Sequence, residues 1–309
     1  MDRFLTVAQV IAPIFAAVFL GALARKKQLM KPEEVQALQN FVVKFALPCV
    51  LFNSCFTADV SGDSVGVMVL VLPCVLLSSL WSFRFGKKRF PYHNLPMIFG
   101  SQETGMLGIP LFMVLFGAEQ AYRMGILDIA QAFVALPTIA LLASTTDAKL
   151  SPVQILRNLF TSPLLLCSLL GLALNLTGLA RILNDYGVGG VITASTGFLS
   201  QPVSAVMIFS VGYNFSISRD NRKPVLGITL AHFLIYALIC IVVQLGLMLI
   251  PNVEPATRWA VLMYCTLPAS YLAPGLGKTS EDTAVASGVC SLLTVVSLLF
   301  FCVIAVLAA

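Results

Sequence analysis

Three ionisable side chains, Lys44, Glu103 and Asp128, lie well inside apolar stretches of this 309-residue chain. Burying a charge in hydrocarbon costs at least about 2.5–3.5 kcal/mol, so each must face a partner or a wet cavity. Glu103 is the sharpest of them. Deprived of water, a carboxylate is costly, and the group either exchanges a proton during a working cycle or serves as a structural partner for Lys44 or for the broken helix around it. Lys44 reads equally as counter-charge for an anionic ligand or as a packing pair. Asp128 falls about two turns into its stretch and favours an interfacial, solvated role. His232 is a lone interior histidine, more in keeping with a satisfied core group than with a proton carrier. Asn53 and Asn214 end similar stretches and suit either cation ligands or helix-end polar groups.

Around Glu103 the order QETGMLGIP brings Gly105, Gly108 and Pro110 together, and later CTLPASYLAPGLG carries Pro268 and Pro274. Proline removes a backbone donor and clashes with the carbonyl one turn earlier. In a bilayer the freed groups must be satisfied by protein, water or ligand. Both segments therefore predict helices broken near the membrane midplane, with half-helix N-termini aimed at one point, a natural anion site. Residues expected to line it are Gln102, Glu103, Thr104 and Gly105 on one segment, with Cys265, Thr266, Ser270 and Tyr271 on the other. Pro110 and Pro268 are expected at the crossing itself.

These residues need helices to hold them, and composition supplies the class. Hydrophobic residues make up 58% of the chain and charged residues only 11%, against roughly 25% charged in soluble domains. The mean hydropathy is +0.92. A soluble enzyme, a disordered chain, a nucleic-acid binder and a disulfide scaffold are all excluded. The eight cysteines sit in apolar runs with no C-x-x-C spacing and read as buried thiols. No H-E-x-x-H, G-x-S-x-G or P-loop pattern appears, so no enzyme, cofactor or metal is expected.

Apolar runs predict ten spans: about Phe4–Ala24, Val35–Phe56, Ser64–Phe83, Asn94–Gly117, Ala121–Ala143, Ser162–Gly178, Gly189–Phe215, Pro224–Ile250, Ala256–Gly275 and Asp282–Ala308. Fourteen of the 19 basic residues fall in loops on one side of this arrangement. The positive-inside rule makes that side cytoplasmic and puts both termini outside. Five spans per half require any repeat to be inverted. FVVKFALPCVLFN in span two and FLSQPVSAVMIFSVGYN in span seven have similarly placed prolines, and spans four and nine are the most interrupted. Matching interruptions of this kind point to a binding site. The expected organisation is a first repeat over residues 1–143, a short cytoplasmic linker over 144–161 and a second repeat over 162–309, an all-α integral membrane protein with broken, crossing spans four and nine.

These segments resemble the auxin efflux carrier family, bacterial permeases related to the plant PIN carriers, over almost the whole chain. ETGMLGIPLFMVLFG is similar to the family's Asn-x-Gly-x-x-Gly-Ile-Pro-Leu stretch, and FVVKFALPCVLF and PVSAVMIFSVGYNF resemble the corresponding segments of spans two and seven. The resemblance implies a ten-helix fold shared with bile-acid sodium symporters, with a scaffold domain and a mobile transport domain. It also implies carriage of small organic anions across the cytoplasmic membrane. Glu103 stands where the family motif usually has asparagine, which points to proton coupling, a cation site or a non-anionic substrate. A sodium-coupled bile-acid-type symporter and a membrane receptor on the same fold are the competing readings; H+ and Na+ are both compatible as coupling ions. The expected partners are a small organic anion and the lipid bilayer, without nucleic acid, and a homodimer is compatible with them.

Overall fold

The structure, a computed structural model, describes residues 2–58, 62–144, 157, 161, 163–215 and 221–308. The expected 144–161 linker lies almost wholly outside these residues, as do Lys149 and Arg219. The described chain is all-helical. In order come α1 (Asp2–Lys26), α2 (Pro32–Thr57), α3 (Gly62–Trp81, continuing through a wide π-helical turn to Arg89), α4 (Leu95–Gly100) and α5 (Thr104–Phe116). They are followed by α6 (Ala121–Ser144), α7 (Pro163–Leu176), α8 (Leu179–Asp185) and α9 (Val188–Asn214). The last are α10 (Arg222–Gly246), α11 (Pro255–Thr266) and α12 (Ser280–Ala308). Among the described residues five helices are long and apolar enough to cross a membrane, or six if α7 and α8 count as one span bent by 78°.

One element differs from expectation. Helix α8 is additional: Gly178 and Gly187 take positive φ angles of 75° each, ending one helix and starting the next inside a stretch read as a loop. Expected spans four and nine are both interrupted, span four between α4 and α5 and span nine after Thr266.

The outer surface is apolar, as a bilayer demands. On α10 the leucines at 226, 230, 234 and 238 are exposed, while Ile228, His232, Tyr236, Ile239 and Val243 are buried. The four-residue spacing makes a lipid-facing stripe opposite a protein-facing one. Between helices, glycine permits close backbone approach, which drives packing where water cannot. A Cβ on Gly21 of α1 would overlap the Phe209 carbonyl of α9, and one on Gly212 of α9 would overlap the Val18 carbonyl of α1. The second such pair is α7 on α2, where Gly171 lies against the Phe52 carbonyl.

The ends of these pairs are tied down by side chains. Arg25, in the last turn of α1, donates to the carbonyls of Tyr213 (3.2 Å) and Phe215 (3.1 Å) at the end of α9. Asn175, in the last turn of α7, donates to the carbonyls of Cys55 (3.1 Å), Phe56 (3.0 Å) and Ala58 (2.7 Å) at the end of α2. Each satisfies carbonyls that a helix end leaves without partners.

Candidate functional site

Helix α4 stops at Gly100 because Ser101 turns to an extended conformation, with φ −157° and ψ 136°. Helix α11 stops at Thr266 because Leu267 is extended and Pro268 has no N–H to continue the ladder. The two released strands of backbone meet as an isolated antiparallel bridge between Gln102 and Ala269. Glu103 N–H donates to the Pro268 carbonyl (2.8 Å), and Ser270 N–H donates to the Ser101 carbonyl (3.0 Å). Each break thus satisfies the other, which is how irregular backbone survives at membrane depth.

Side chains complete the arrangement. The Phe99 carbonyl at the end of α4 accepts from Ser78 Oγ (2.8 Å) and Tyr236 OH (3.0 Å). Gln131 of α6, 4% exposed, clamps the bridge. Its Oε1 accepts from Gln102 N–H (2.8 Å) and Tyr264 OH (3.0 Å), and its Nε2 donates to the Gln102 carbonyl (3.0 Å), Thr104 Oγ1 (2.8 Å) and Asp128 Oδ1 (2.9 Å).

Glu103 caps α5. One carboxylate oxygen accepts from Met106 N–H (3.2 Å) and the other from Tyr271 N–H (2.7 Å), so the residue joins both interrupted segments. The N-terminal end of a helix favours negative charge through its free N–H groups and dipole. Thr104 Oγ1 donates to Asp128. Tyr271 OH pairs with Thr294 Oγ1 (2.8 Å) on α12.

Gln102, Glu103, Thr104, Asp128, Gln131, Ser270 and Tyr271 form the floor of a cavity of about 1260 Å³. One wall comes from α2 and the end of α9, the other from α6, α12 and the two breaks. Arg25, Gln28 and Lys31, at and after the end of α1, are also part of its lining.

Of the residues singled out from sequence, Gln102, Glu103, Thr104, Gly105, Asp128, Ser270 and Tyr271 line this cavity. Asn214 lies near Arg25 and Phe215 in the same lining. Thr266, Cys265, Asn53 and His232 are absent from it. Thr266 bonds back to Met263. With its amide oriented to suit its surroundings, Gln102 donates to the Pro268 carbonyl (2.9 Å), the Leu267 carbonyl (3.2 Å) and His232 Nε2 (3.3 Å). Its side chain therefore serves the bridge, with His232 stacked behind it on Tyr236 at 4.5 Å between ring centres.

Three expectations are corrected. Pro110 is not at the crossing, which lies at Gln102, eight positions earlier in sequence. The wide turn Thr104–Gly108 precedes Pro110 and absorbs its missing donor without ending the helix. Lys44 is exposed on the turn Val42–Ala46 and makes no ion pair among the described residues, while both Glu103 oxygens accept from backbone N–H groups. Asp128 is no solvated interfacial acid; it is half-buried against Thr104 and Gln131.

Sequence reasoning missed Gln131, Ser101 and Arg123. Gln131 lies three residues after Asp128 and so shares its helical face, a spacing that carried the signal. Arg123, in the first turn of α6, is buried; it pairs with Glu254 and donates to Thr257 Oγ1 and to Gln120 (2.7 Å).

An all-helical chain with lipid-facing stripes and two reciprocally broken helices under a large polar-floored cavity is a multi-pass membrane transporter, not an enzyme. It matches the family model described as membrane transport protein over residues 6–307 and belongs to that family, the one its auxin-efflux-carrier-like motifs indicated. It is 25% identical over 227 residues to an uncharacterised transporter of Methanothermobacter thermautotrophicus, spanning 71% of this chain and 72% of that protein. An uncharacterised transporter of Methanocaldococcus jannaschii is 22% identical over 216 residues, spanning 67% of this chain and 68% of its own.

Proposed function

We propose that the protein is a secondary active transporter that moves a small organic solute by alternating access around the paired helix breaks. The observation that carries this reading is the Gln102–Ala269 bridge at the floor of the cavity. Broken helices that satisfy one another leave polar backbone at a midplane site.

Ten spans in two inverted five-helix repeats, residues 1–143 and 162–309, account for the matched packing. Gly21 and Arg25 stand four residues apart on α1, and Gly171 and Asn175 stand four apart on α7. In each pair the glycine meets a phenylalanine carbonyl on the opposite helix and the polar residue caps that helix's end. In this reading α1, α2, α7 and α9 form a scaffold, and the remaining long helices form the moving domain. The cavity lies between them. Basic loops, and Arg25 and Lys31 in the lining, favour a cytoplasmic opening with both termini outside, in the cytoplasmic membrane.

An organic anion, the class the resemblance implies, would find its lining cations, Arg25 and Lys31, away from the breaks. Glu103 and Asp128 are the groups able to couple transport to protons; Na+ coupling would need ligands from the same floor. The test is counterflow in proteoliposomes with a panel of carboxylates and amines, each repeated with sodium or a pH gradient. Exchange of any member in wild-type vesicles and its absence in empty ones is the expected result. Binding without counterflow would make the protein a receptor and overturn the reading.

A further inference from the structure

Two carboxylates sit at the cavity floor, and among the described residues neither is paired with a cation. Glu103 is 8% exposed and Asp128 half-buried, and neither forms an ion pair among the described residues. The lining cations, Arg25 and Lys31, belong to the last turn of α1 and the segment after it, and Arg25 is engaged by the Tyr213 and Phe215 carbonyls. A charge taken out of water without a partner is strongly unfavourable, so whenever these acids are ionised their counter-charge has to come from outside.

The position where an incoming anion would sit is already filled. Glu103 occupies the N-terminal end of α5 and accepts from Met106 N–H and Tyr271 N–H. What remains open is a set of acceptors. Asp128 uses Oδ1 for Thr104 and Gln131, while Oδ2 has no partner among the described residues. Ser101, 4% exposed and lining the cavity, has a hydroxyl with no hydrogen bond among the described residues. This unpaired hydroxyl, on a residue otherwise enclosed by protein, is independent of the acids and borders the same space.

We infer that the floor of the cavity takes an organic cation, an ammonium group on a small apolar body, as the transported solute. This rests on reading the cavity as the transport site. An ammonium brings donors and no acceptor, the complement of Asp128 Oδ2 and Ser101 Oγ. A metal ion fits less well, because no group of three or more His, Cys, Asp or Glu able to hold one occurs among the described residues. The apolar body has its own surface in Leu47, Met97, Met106, Leu136 and Ile139 of the lining. At about 1260 Å³ the space far exceeds that of a bare ion.

The test uses two probes of the same shape and opposite charge, phenethylamine and 3-phenylpropanoate, with the purified full-length protein. Equilibrium binding should favour the amine by at least about tenfold, or about 1.4 kcal/mol. Asp128→Asn keeps an oxygen for Thr104 and Gln131 and changes only the open position, so it should fold, as a melting curve will check. It should lose at least about tenfold in amine affinity, and Ser101→Ala should lose about threefold, roughly 0.7 kcal/mol. Absent amine binding, equal binding of the two probes, or unchanged amine affinity in both variants would overturn the inference. Proteoliposome counterflow separates it from the transport reading. Exchange of the carboxylate alone would sink the cation site and keep the transporter; amine binding without exchange of any solute in the panel would sink the transporter and, with it, the amine as transported solute.

Discussion

Replacing Gln131 by methionine removes the clamp on the bridge while nearly preserving side-chain length and flexibility. Five hydrogen bonds disappear: two to the Gln102 main chain and one each to Tyr264, Thr104 and Asp128. Hydrogen bonds between membrane helices average about 0.6 kcal/mol, because an unfolded chain in lipid finds other partners. Five at that value come to about 3 kcal/mol. A second route counts what is stranded. Gln102 is 2% exposed, so its N–H and C=O lose their clamp inside the protein, and each orphaned buried group costs about 1–3 kcal/mol. The two routes overlap near about 3 kcal/mol. The assay is reversible denaturation in mixed micelles, with Gln131→Glu in parallel. Glutamate retains an acceptor for Gln102 N–H and Tyr264 but loses the donor to the Gln102 carbonyl and adds an acid beside Asp128. It should fall between wild type and methionine if the hydrogen bonds dominate, and below methionine if repulsion dominates. A methionine variant within about 0.5 kcal/mol of wild type would refute the reasoning, since surface changes alone reach that size.

Pro268→Ala restores a donor at the bridge and lets α11 extend, so substrate affinity should fall by about tenfold, or about 1.4 kcal/mol. Pro110→Ala, inside a continuous helix, should leave affinity within about twofold; equal losses in both would place the crossing at Pro110 after all. His93 lies in the loop before α4, where burial, with Lys278 and Lys87 nearby, holds its imidazole below the usual histidine range against the opposing Leu142 carbonyl and Asp282. The folded state therefore favours the neutral ring, and stability present above about pH 6.5 should be lost as pH falls through that value. Melting curves of wild type and His93→Gln across that range should converge at acid pH. A single cysteine at Asn252 in a background lacking the native thiols should react with an impermeant reagent from outside, and one at Lys88 should not; the reverse pattern would invert the orientation.

How much was legible beforehand differs from residue to residue. Composition alone placed the chain in a bilayer, because 58% hydrophobic and 11% charged residues cannot be buried in a water-soluble core of this size. The leucine stripe of α10 was readable for the same reason: helical spacing fixes which residues share a face, whatever that face touches. Pro268 also announced its break, since a missing N–H is a property of the residue itself. The glycine- and proline-bearing stretch of span four marked the right region but the wrong residue. Whether Pro110 breaks a helix depends on whether the preceding turn can widen, and here the turn Thr104–Gly108 does.

Tertiary structure alone decided who meets whom. Gln102 and Ala269 are joined by backbone groups, which carry no side-chain signature, so nothing in either segment marked the register of the bridge. The spacing of Gln131 puts it on the face of Asp128, but nothing in α6 says that the bridge is brought against that face. Lys44 and Asp128 were both recognised as intramembrane charges, yet one faces outward from a wide turn and the other faces the cavity. The cost of burying a charge is fixed by chemistry and can be read from a sequence. The partner that offsets the cost is set by packing between residues far apart in the chain, and only the folded arrangement determines it.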